Sequence, residues 1–214
     1  MKQENDNQPQ TVKYTAVEKG NRWSVKDIIL TVVMSAVAIA IMMVISFGTM
    51  FNHVLNLIFT MGIVFFAMSP LFVFTAIKVN KRFVMSVFFG LYIIYSAFSY
   101  WYSMIPLLGI MFIIELFMRK KDSYKTPWKV AASYGLMGAA SCGTSYFMLL
   151  NWGSASETML AQGISQEYMD NYIAWYTNPG IAIGIFAFTT LAAAAGCLIS
   201  FAMFKKHFKK TGVL

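Results

Sequence analysis

The chain has 214 residues, of which 58% are hydrophobic and only 12% charged. Soluble domains carry about 25% charged residues, so composition argues against a water-soluble globular protein. The formal net charge is +8, yet the seventeen Lys and Arg sit in short clusters flanking apolar runs, which is how membrane proteins carry charge and is not a nucleic-acid-binding face.

Residues 1–24 are polar and mixed in charge, without an apolar core or a small-residue cleavage site. They read as a disordered cytoplasmic tail and not as a secretory signal. The basic clusters lie at 2–26, 78–82, 119–129 and 205–210, and the stretches between them hold no Lys or Arg. Basic residues resist translocation. With every cluster on the cytoplasmic side, each stretch must go out and come back, or else stay inside.

A crossing needs about 20 apolar residues. Residues 28–77 therefore make two helices, about 27–48 and 53–78, joined by the polar turn 48–53. Pro70 is expected to kink or break the second. Residues 83–117 are readable as one helix or as a hairpin of two short ones. One helix would place 119–121 outside, so the basic-inside rule favours helices 83–98 and 101–118 about an aromatic hinge at 99–103. The last pair is 128–152 and 179–204, joined by an external gating loop, 153–178, that carries Glu157, Glu167 and Asp170 and no basic residue. Within it, 165–176 reads as a short helix capped by Ser165, with Met169, Ile173 and Tyr176 on one face. The expected fold is all-α: a six-transmembrane-helix bundle over 25–210 with both termini cytoplasmic, and a C-terminal end at 211–214.

No phosphate-binding loop, His-Glu-x-x-His or Cys-x-x-Cys occurs. His53 and His207 fall on opposite sides of the expected membrane, and Cys142 and Cys197 are isolated in apolar runs. Neither catalysis nor a metal or cofactor is expected. The one intramembrane charge is Glu115, near the cytoplasmic end of the fourth helix. It can pair with Arg119 at helical spacing or play a substrate or coupling role.

The expected outer half is richer. Asn52, His53 and Asn56 lie in or just after the first turn, and Tyr100, Trp101 and Tyr102 at the hinge. Tyr146, Asn151 and Trp152 end the fifth helix, and Asn171, Tyr172, Trp175, Tyr176 and Asn178 precede the sixth. Rings with a few amides suit a planar organic ligand. The plainer reading is an aromatic belt at the headgroups. Small residues recur at four-residue spacing, in Ala36-x3-Ala40, Gly135-x3-Ala139-x3-Gly143 and Ala192-x3-Gly196. Such stripes allow close helix approach, inside the protein or, for the first helix, toward a partner. The sixteen methionines, Met42, Met43, Met50, Met61 and Met68 among them, read chiefly as flexible core filler.

Six spans with both ends inside, Lys26-Asp27 at the start of the first helix, Ala36-x3-Ala40, the long loop before the last helix and the closing Lys-Lys-His-Phe-Lys-Lys-Thr-Gly-Val at 205–213 form a combination. It resembles the substrate-binding S components of energy-coupling factor (ECF) transporters, of the Trep_Strep or MptS-like group. The resemblance implies a subunit of a bacterial cell membrane that captures a vitamin or other micronutrient from outside. Its partners would be a transmembrane coupling subunit and two cytoplasmic ATPases, with Ala36 and Ala40 as the docking surface. The loops at 48–53 and 153–178 would act as gates. The alternatives are a self-sufficient secondary carrier or channel for a small organic solute, and a membrane scaffold or sensor.

Overall fold

A computed structural model of the chain describes residues 22–120 and 122–211. The tail expected over 1–24 and the end expected over 211–214 lie almost wholly outside the described residues. Among the described residues there are eight α-helices and no β-strand. They are α1 Val25–Thr49, α2 Thr60–Val79, α3 Val84–Ser99, α4 Met104–Phe117, α5 Pro127–Leu150, α6 Trp152–Ala161, α7 Gln166–Thr177 and α8 Pro179–Thr211. A π-helical turn, Leu55–Phe59, leads into α2, and a 3-10 turn, Trp101–Ser103, leads into α4. The stretches Val25–Thr49, Leu55–Val79 and Pro179–Lys206 are long and apolar enough to cross a membrane by length and composition, and α3 and Trp101–Phe117 are shorter apolar helices. The interval 153–178 carries a helix that was not expected, α6, whose Ala155 and Met159 are buried.

α8 is the central strut, packed along both α5 and α2. Two close approaches make this possible. Opposite α5, a Cβ on Gly135 would lie 3.2 Å from the Thr190 carbonyl oxygen, and one on Gly138 would lie 3.4 Å from Ala193 Cβ. The contact stripe on α5 is therefore Gly135, Gly138 and Cys142, whose thiol donates to Thr189 Oγ1 at 3.2 Å. It is not the four-residue ladder to Gly143, which has no neighbour within 4 Å.

Opposite α2, a Cβ on Gly196 would lie 2.6 Å from Ser69 Oγ and 3.1 Å from the Phe66 carbonyl oxygen. This contact sits at Pro70, which α2 carries inside it without a break. Proline has no N–H for the carbonyl four residues back. Ser69 Oγ instead donates to that Phe66 oxygen at 2.8 Å, and Ser200 Oγ lies 3.2 Å from Ser69 Oγ. The orphan carbonyl is thus satisfied by a hydroxyl, as burial in lipid requires.

The basic end is tied together by side chains distant in sequence. Ser24 and Asp27 form a reciprocal capping box at the start of α1. Lys81, 9% exposed, bonds the Asp27 carboxylate and the Arg22 carbonyl oxygen. Trp23 Nε1 donates to the Arg82 carbonyl oxygen at 3.0 Å. Glu115 reaches back from α4 to the start of α3. It accepts from the backbone N–H of Phe83 (3.2 Å) and Ser86 (3.1 Å) and from the Ser86 hydroxyl (2.7 Å). Phe83 has φ 69°, a left-handed conformation costly for a bulky residue, and the carboxylate holds it while meeting the positive end of the α3 dipole. Glu115 is a cap for α3, and no ion pair joins it to Arg119 among the described residues.

Candidate functional site

The opposite end of the bundle brings the α1–α2 turn, the end of α5, and α7 together. The π-helical turn places Asn56 and Leu57 where α7 can reach them; such turns recur at functional sites. On α7, Ser165 caps the helix by accepting from Tyr168 N at 3.3 Å, and the buried face is Met169, Tyr172 and Tyr176. Ile173, expected on that face, is only partly buried.

Three polar contacts fasten α7 to the turn. The Tyr168 hydroxyl donates to Asn56 Oδ1 at 2.8 Å, while Asn56 Nδ2 donates to Thr49 Oγ1 at 3.2 Å. The Tyr176 hydroxyl donates to the Leu57 carbonyl oxygen at 3.1 Å. Asn171 Nδ2 lies 3.2 Å from His53 Nδ1, and the His53 ring meets the Tyr168 ring edge-on at 5.4 Å. Glu167 adds a carboxylate, 4.0 Å from His53 Nδ1. Burial pushes the Tyr168 phenol up to about 12 and the Tyr172 phenol well above its ordinary value, so both stay protonated donors at neutral pH.

Behind these contacts runs a ladder of rings. Trp152 stacks on Tyr172 at 5.6 Å, and Tyr172 on Tyr176 at 4.7 Å. Tyr146 meets Tyr176 edge-on at 5.7 Å and Phe186 at 5.6 Å. The Tyr172 hydroxyl donates to the Ser145 carbonyl oxygen at 3.0 Å. Trp175 packs against the same cluster, half-buried.

Of the residues the sequence points to, His53, Asn56, Tyr146, Trp152, Trp175 and Tyr176 meet here. Asn52 is at the edge, with its Oδ1 accepting from Leu55 N at 3.1 Å. Asn151 is exposed and bonds the Phe147 carbonyl oxygen of its own helix. At the hinge, Trp101 is 66% exposed and touches Tyr102 edge-on at 5.7 Å. Tyr102 is buried, with a hydroxyl that has no hydrogen-bond partner. Tyr168 belongs to the site, and the signal for it is the ladder Tyr168, Tyr172 and Tyr176 at successive four-residue steps along one helix face.

The arrangement offers stacked rings, amides and hydroxyls, one imidazole and one carboxylate, and no Lys or Arg from 83 to 118 or from 130 to 204. Its chemistry suits a flat molecule without negative charge. No functionally curated protein and no solved structure matches the chain. Residues 25–210 match the model of Trep_Strep, described as hypothetical bacterial integral membrane proteins, and the chain belongs to that family.

Proposed function

We propose that the chain is the substrate-capture subunit of an ATP-driven importer of the ECF type, crossing the membrane six times with both termini cytoplasmic and the ring-rich end outside. α7 then acts as the lid over the captured molecule. A coupling subunit and two ATPases supply the power stroke, since capture alone cannot concentrate a solute.

The observation that carries this reading is the state of α1. Only 22% of its most apolar window is buried, against 50% for Leu55–Val79 and 33% for Pro179–Lys206. Its inward face is Thr31, Ser35, Ala38 and Met42. Ala36 and Ala40 face away from the bundle, where packing within this chain gives small residues nothing to do. Small residues on an outward helix face let a second backbone come close in lipid, which fits a coupling subunit. A second support is the lid: α7 is held to the α1–α2 turn by a few hydrogen bonds, each worth about 1 kcal/mol, a strength suited to opening and closing.

Reconstitution tests the proposal. The purified chain should bind a ring-bearing micronutrient in liposomes yet accumulate none until the coupling subunit, the ATPases and ATP are added. Accumulation by the chain alone under an ion gradient would overturn it in favour of a self-sufficient carrier.

A further inference from the structure

At the basic end, α2, α5 and α8 enclose a groove of about 590 Å³, within the roughly 300–1,000 Å³ typical of small-molecule sites. One wall is a single stripe of α8: Leu198, Phe201, Ala202 and Lys205, at i, i+3, i+4 and i+7. Across from it stand Ile77 of α2 and Lys125, just before α5. The stripe is apolar along its length and cationic only at its mouth. Leu198, Ala202 and Lys205 are exposed, so the groove opens sideways toward the bilayer as well as toward the basic end. One acid tempers the mouth: Asp122 Oδ1 lies 3.5 Å from Lys125 Nζ and accepts from Asn80 Nδ2 at 2.7 Å.

We propose that this groove seats an anionic phospholipid, with the phosphate between Lys125 and Lys205 and one acyl chain along Ala202, Phe201 and Leu198. The polarity of the groove matches an amphiphile end for end. A free phosphate would leave the apolar wall unused, and a zwitterionic lipid would gain little from two cations. Basic pockets between transmembrane helices on the cytoplasmic side recognise anionic headgroups in this way. The two lysines contribute ~1 kcal/mol each, which at 1.4 kcal/mol per tenfold predicts about a 30-fold preference for an anionic over a zwitterionic headgroup.

The test is native mass spectrometry of the delipidated full chain, titrated with dioleoyl phosphatidylglycerol or dioleoyl phosphatidylcholine. The wild type should prefer the glycerol lipid about 30-fold, and K125Q/K205Q should abolish that preference. K26Q/K120Q removes the same charge from exposed lysines that do not line the groove and should keep it. A202W fills the groove with both lysines in place and should weaken binding of both lipids. Equal affinity for the two headgroups in the wild type would overturn the proposal. So would loss of preference in K26Q/K120Q, which would mean a diffuse surface field, or unchanged binding in A202W, which would mean a phosphate held without its chain.

Discussion

Replacing Tyr168 by Phe removes one hydroxyl and leaves the ring. The ring keeps its edge contact with His53, so the change isolates the hydrogen bond to Asn56. A neutral intramolecular hydrogen bond contributes a net 0.5–1.5 kcal/mol, with about 1 typical. Here the value belongs in the upper half of that range. The bond is partly buried at 2.8 Å, and its loss strands Asn56 Oδ1, since the bond to Thr49 uses only the amide nitrogen. A cost of about 1–1.5 kcal/mol raises the local opening equilibrium of α7 roughly 5- to 12-fold. Hydrogen–deuterium exchange of the amides in Gln166–Thr177 reads this directly, with exchange rates rising by that factor in Y168F and unchanged in α1 to α5 and α8. Y95F, which removes a hydroxyl from an exposed position on α3, is the control. Exchange in α7 that is unaltered, or that rises equally throughout the bundle, would refute the idea that α7 is a separately latched element.

Three other outcomes follow from the same contacts. G196A should cost about 1–3 kcal/mol of thermal stability, because its Cβ would press on Ser69 Oγ and the Phe66 carbonyl oxygen; G143A, with no neighbour within 4 Å, should be close to neutral, and equal melting temperatures for the two would contradict the packing. Burial raises the Tyr168 phenol from 10 to about 12, so the closed form holds its proton more tightly than the open one. The latch's contribution is therefore complete below pH 10 and lost as pH climbs through about 12, which phenolate absorbance and α7 exchange should follow together in the wild type and not in Y168F. A36L/A40L should leave folding and ligand capture intact while abolishing co-purification with the coupling subunit; intact assembly would reduce those alanines to lipid-facing filler.

The long helices were legible because lipid demands apolar runs of near-fixed length and basic residues punctuate them. Pro70 was legible as a defect but not as a repaired one: the repair needs Ser69 beside it and Gly196 and Ser200 from α8, 126 and 130 residues on from Pro70. Glu115 shows the same limit. Arg119 stands at helical spacing in sequence, yet the partners are N–H groups at Phe83 and Ser86, which no periodicity within α4 reveals. α6 is not legible in the sequence because Gly153, Ser154, Ser156 and Thr158 are weak helix formers, and burial of Ala155 and Met159 overrides them. At the site, residue type located the cluster but not the division of labour. Asn151 looked like His53 or Asn56 in composition, yet its amide bonds its own helix. The recurrence of Tyr168, Tyr172 and Tyr176 marks a shared helix face, but nothing in the sequence marks Asn56, 112 residues earlier, as the partner of Tyr168.

Capture from outside requires the ring-rich end of the bundle to face outward, and thiol labelling in intact cells measures which end does. Cys142 and Cys197 are buried, so a membrane-impermeant maleimide should find little native background. Y100C at the ring-rich end should react on whole cells, and K120C at the basic end only after lysis. Reaction of K120C on whole cells with Y100C protected would invert the molecule and contradict both the capture site and the direction of transport.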